Sequence, residues 1–113
     1  MKKVYFTITG TRYYYGEDFK EYAREFMTPG SKVKLVKETD NECDSEAILV
    51  KLDGLGDIGH VANSPQTVLG ESYSAGRIYD HFGDETTGTV VAVLPTGIIC
   101  TLDEYKFVLS VKA

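Results

Sequence analysis

The stretch KVKLVK, Lys32 to Lys37, alternates so that Val33 and Leu35 fall on one face and Lys32, Lys34 and Val36 on the other. Successive side chains of a strand point to opposite sides, so this period of two specifies a half-buried strand. Upstream of it, Pro29-Gly30 ends a different pattern. There Phe19, Tyr22, Ala23 and Phe26 recur at i, i+3, i+4 and i+7, the apolar stripe of a short helix with Glu17 and Asp18 in its first turn. Nearer the amino terminus, Lys3 to Thr9 (KVYFTIT) is β-branched and aromatic with partial alternation, which predicts another strand. Downstream, the polar run ETDNECDSE, Glu38 to Glu46, reads as a turn-rich loop, because Asp and Asn bond their own backbone. Ala47 to Leu52 and Asp57 to Ala62 then predict a hairpin punctuated by Gly54 and Gly56, with Gly59 interrupting its second strand.

Ser64-Pro65 has the form of an N-cap followed by proline at the first helical position, which predicts a short helix through Val68 and Leu69. In the stretch GESYSAGRIYDHFGDE, glycines break a pattern in which Ile78, Tyr79 and Phe82 share a helical face. Thr89 to Leu94, Ile98 to Leu102 and Lys106 to Val111 close the chain as strands, the first two joined by Pro-Thr-Gly. The reading gives about seven short strands around two or three small helices: a mainly β chain, arranged as a barrel with helical insertions.

At 113 residues and 42% hydrophobic, the chain has the size and composition of one folded domain, expected to span residues 1 to 113. No apolar run approaches the roughly 20 residues needed to cross a bilayer, and Met1-Lys2-Lys3 leads directly into a strand pattern, so the expected location is the cytoplasm, with no membrane partner. Cys43 and Cys100 are too few and too far apart for a disulfide framework and are read as reduced thiols. The net charge of -5 excludes a broad basic face for coating duplex DNA, so any nucleic-acid contact must be local.

One place suits such a contact. In ITGTRYYYGEDF, Ile8 to Phe19, an arginine and consecutive tyrosines lie between Gly10 and Gly16. On a strand Tyr13 and Tyr15 would share one face, and Arg12 and Tyr14 the other. Tyrosines in such a run also serve as core. An aromatic ring beside a guanidinium, with glycines letting the backbone come close, nevertheless forms a platform for a base and its phosphate. Gly10-Thr-Arg-Tyr-Tyr, then VKLVKETDNECDSEAILV from Val33 to Val50, then IGHVAN from Ile58 to Asn63, together resemble the HIRAN domain, a module found in front of some DNA-remodelling helicases and free-standing in bacteria.

That resemblance implies an OB-like small β-barrel that binds single-stranded DNA with a pocket for a free 3′ end. Carried over by motif, Arg12 would touch phosphate, Tyr13 would stack on a base with Tyr14 beside it, and Asn41 would sit in the backbone-binding loop. Asp44 would accept a hydrogen bond from the terminal 3′-hydroxyl, and His60 would contact phosphate. Between Asn41 and Asp44 the family usually shows a proline and an aromatic, where this chain has Glu42 and Cys43, so a stacking ring is absent and a carboxylate is added.

The same residues have plainer readings. Asp44 can be a turn residue bonding the amides of its own loop, and His60 an ordinary surface histidine. Cys43, Asp44 and His60 do not make a nucleophile set, because the sequence shows neither a base within reach of the thiol nor an oxyanion site. Cys43, Cys100, His60 and His81 lack the paired short spacing of zinc ligands, and DNECDSE lacks the glycine and terminal spacing of a calcium loop. No phosphate-binding glycine loop is present, so neither cofactor nor catalysis is expected. A second class remains open: the tyrosine face of the barrel could dock a peptide or another copy of the chain.

Overall fold

The computed structural model describes residues 3–10, 27–53, 56–94 and 96–104. Within these, strands β1 (Tyr5–Thr9), β2 (Lys32–Lys37), β3 (Ile48–Leu52), β4 (Gly56–Val61), β5 (Glu85–Leu94) and β6 (Gly97–Leu102) form a closed barrel in the order β1-β4-β3-β2-β5-β6. Every neighbouring pair is antiparallel, and β1 closes the ring by pairing with both β4 and β6. This bears out the mainly β, OB-like barrel expected from the pattern and the resemblance.

β2 behaves as its alternation requires: Val33 and Leu35 are buried while Lys32 and Lys34 are exposed. The interior is filled by inward residues of all six strands, among them Phe6, Ile8, Leu35, Val50, Ile58, Val90 and Ile98. A Cβ on Gly88 would lie 2.8 Å from Phe6 Cζ and 3.0 Å from the Thr101 carbonyl oxygen. β5 therefore needs a glycine where the Phe6 ring lies against the wall.

Several boundaries differ from the sequence reading. β5 starts at Glu85, four residues ahead of the expected Thr89, because Thr86, Thr87 and Gly88 already pair with β2. The predicted helix at Ser64–Leu69 does not form. Val68 N–H reaches the Ser64 carbonyl at 2.9 Å, giving a single helical turn, but the next amide, Leu69 N–H, donates to Thr7 Oγ1 at 3.2 Å, and Gly70 turns the chain at φ +56°. A tertiary partner thus takes the donor that would have extended the helix. The glycine-broken stretch beyond it contains one α-helical turn, α1 (Ala75–Ile78), followed by a 3-10 turn at Tyr79–His81. Ile78 and Phe82 are buried from it, as expected, with Tyr79 packed partly against the core. The expected helix from Phe19 to Phe26 and the expected strand from Lys106 to Val111 lie outside the described residues. No described helix is long and apolar enough to cross a membrane.

Candidate nucleic-acid interface

The loop between β2 and β3 is organised by its own side chains. Asn41 Oδ1 accepts the amides of Cys43 and Asp44, both at 2.9 Å, and Asp44 Oδ1 accepts the amide of Glu46 at 2.9 Å. These are Asx turns, the local bonding that Asn and Asp favour in such runs. Cys43 and Glu42 are exposed at the tip between them.

The loop is tied to β4 and to α1. His60 Nε2 lies 2.6 Å from Glu38 Oε1; since a carboxylate only accepts, Nε2 carries the proton. Asn41 Nδ2 donates to the same Glu38 oxygen at 3.3 Å. On the other side Asn63 Nδ2 approaches Asp44 Oδ2 and Glu46 Oε1, each at 3.4 Å, while its Oδ1 accepts the Gly76 amide at 2.8 Å. A Cβ at Gly76 would come within 2.6 Å of Glu46 Oε1, so a small residue at that position lets the loop approach the helix.

Asn41, Asp44 and His60 are thus brought into one network. Glu38 and Asn63, which the sequence reading did not single out as site residues, are its connectors. Their signal was weak: Glu38 reads as one of several loop acids, and Asn63 as the polar end of IGHVAN. Chemically the network is rich in acceptors. Glu38, Asp44 and Glu46 face His60 and two amides, an arrangement with capacity to accept a hydrogen bond and unsuited to holding a phosphate by itself. Arg12, Tyr13 and Tyr14 lie outside the described residues.

A second polar cluster lies on the β2/β5 wall. Asp103 accepts from Thr87 Oγ1 and Thr89 Oγ1, each at 2.7 Å, and from Lys32 Nζ at 3.2 Å, while Lys32 also donates to Thr89 Oγ1 at 2.6 Å. Burial pushes the Asp103 carboxyl up, but the hydrogen bonds from Thr89, Thr87 and Lys32, with the Lys32 charge, outweigh it and hold the group below its usual value. Beneath the sheet, burial and then the Asp103 charge push the Cys100 thiol up to about 12.

A family model for the HIRAN domain matches residues 1–94. The chain belongs to the HIRAN domain family. HIRAN domains are known as DNA-binding modules. Searches of curated proteins and of solved structures found no match. The HIRAN match ends with β5, yet the ring is closed by β6 at Gly97–Leu102, which pairs with both β1 and β5. Closure of this HIRAN barrel therefore depends on residues beyond the matched segment.

Proposed function

We propose that this chain is a non-enzymatic HIRAN module, one domain over residues 1 to 113, that binds single-stranded DNA at a free 3′ end. The supporting observation is that a chain of this family gathers Asn41, Asp44 and His60 into a single hydrogen-bonded network. In this reading Asp44 accepts the terminal 3′-hydroxyl. An ionised carboxylate offers about four acceptor sites, and the Glu46 amide and Asn63 use only part of that capacity. A 3′-phosphate would meet the carboxylates of the loop and be repelled. Arg12 and Tyr13 would supply the cation and the stacked ring that the acidic loop does not, with Tyr14 beside them. One ring contributing about 1–3 kcal/mol, with few phosphate contacts, gives weak, salt-sensitive binding.

The test is a low-salt titration of fluorescent oligonucleotides ending in 3′-hydroxyl or 3′-phosphate. Wild type should prefer the hydroxyl end, Asp44→Ala should lose that preference, and Tyr13→Ala should weaken binding to both by about tenfold. Equal affinity of the wild type for the two ends, or no binding, overturns the reading. The second reading, a protein-docking module, is favoured by the exposed apolar side chains of Val91, Val93 and Leu94 along the end of β5; it predicts self-association or peptide capture without DNA.

A further inference from the structure

The outer face of β1 carries a feature that the 3′-end reading leaves unused. A groove of about 560 Å³ is lined there by Lys3, Tyr5, Leu69, Tyr73, Arg77 and Ile99, with Glu71 and Ser72 completing it. Tyr5 is 39% exposed, the one aromatic among the exposed large apolar side chains of the described residues. Tyr73 is fixed beside it: its amide donates to the Tyr5 carbonyl at 2.6 Å, and its backbone bridges to Phe6. The Arg77 guanidinium lies over the Tyr73 ring, 3.9 Å from its centroid. Stacking occupies the face of a guanidinium and leaves its N–H donors pointing outward in their own plane, where they can meet a phosphate. Leu69 and Ile99 supply apolar surface, and Lys3 a second cation.

We infer that this groove is a second base-stacking subsite, which takes an internal base and phosphate of the same DNA strand whose 3′ end lies at Asp44. The inference rests on the 3′-end reading and extends it. Two considerations support the path. Tyr5 and Thr9 are on one face of β1, and Thr9 is paired with His60, so the groove is about 13 Å along the strand from the network. An OB-type fold also engages about 4–16 nucleotides, more than a pocket for one terminal residue accounts for. Between the two places Leu69 and Ser72 cover Thr7, so the DNA would pass over this segment to reach the tyrosines.

The experiment compares oligonucleotides of about 4 and about 12 nucleotides with a 3′-hydroxyl, measured by fluorescence anisotropy at several salt concentrations. Tyr5→Ala and Arg77→Gln should weaken the long oligonucleotide about tenfold and leave the short one unchanged, with Tyr5→Phe retaining wild-type affinity. Two phosphate contacts should steepen the salt dependence of the long oligonucleotide by about 1.4 in log–log slope, and Arg77→Gln should remove part of that difference. If the long oligonucleotide binds Tyr5→Ala and Arg77→Gln as well as wild type while Asp44→Ala still loses 3′ preference, the groove inference is overturned and the 3′-end reading stands. Equal weakening of both lengths also overturns it. If wild type binds neither oligonucleotide, the 3′-end reading fails and takes the groove with it; binding of a peptide instead would be the same result.

Discussion

Asp103 and Asp44 are both carboxylates on the outside of the barrel, but they are used in contrasting ways. Asp103 is bonded by two threonine hydroxyls and an ammonium, and these donors join β2, β5 and the residue following β6 into one seam. Asp44 receives a backbone amide and a long contact from Asn63, and its neighbours Glu38 and Glu46 are acids as well. A carboxylate saturated by donors, one of them cationic, stabilises the wall. A carboxylate among other acceptors retains capacity for a donor from outside. What each acid already holds therefore sets Asp103, fully engaged in the wall, apart from Asp44, which has acceptor capacity to spare.

The wall can be broken directly. Gly88→Ala would place a methyl against the Phe6 ring and the Thr101 carbonyl, and should destabilise the fold by about 2–3 kcal/mol in urea denaturation. A shift under about 0.5 kcal/mol would mean that the wall yields and is no rigid seam. A smaller effect separates the two acids. Asp103→Asn should cost about 1 kcal/mol at neutral pH, whereas Asp44→Asn, which still accepts the Glu46 amide, should change stability by less than about 0.5 kcal/mol.

The pH profile sharpens that contrast. Because the folded Asp103 carboxyl is held below its usual value, its contribution is present above the unfolded pKa, about 3.9, and is lost as pH falls through the folded one. The difference between wild type and Asp103→Asn should therefore be flat near neutrality and close on the acid side below about pH 4. A difference that grew with acidification would contradict the assignment. The smallest effect concerns the thiols. With Cys43 exposed in the loop between β2 and β3 and Cys100 buried under the wall, an alkylating reagent should modify Cys43 alone in the folded chain and both cysteines in denaturant.

Much of the barrel was legible because its strands obey local rules. The alternation of Lys32 to Lys37 survives in the burial of Val33 and Leu35, and the Asx turns of Asn41 and Asp44 are what such a run does by itself. Long-range partners hid the rest. Nothing near Leu69 announces that its amide will bond Thr7, so the Ser64-Pro65 signal opens one turn and no helix. Thr7 likewise breaks the inside-outside rule for β1, fully buried because Ser72 and Leu69 cover it. The start of β5 was masked by Gly88, a residue that signals a turn in sequence but serves Phe6 across the barrel. Of the site, Asn41, Asp44 and His60 were visible as motif residues, while the pairing of Tyr5 with Tyr73 required the fold to bring distant segments together.

β1 also sets where the ring gives way first. Among the described residues its junction with β4 is the shorter, running from the Thr7 carbonyl on Ala62 through Ile8 opposite Val61 to Thr9 opposite His60, while its junction with β6 extends from Tyr5 to Ile8 and continues through Val4. Thermal breathing of the closed cylinder would open along the shorter junction, exposing amides to deuterium there before the β5/β6 ladder releases any. The histidine at that junction would then be the first part of the network to lose its geometry on heating.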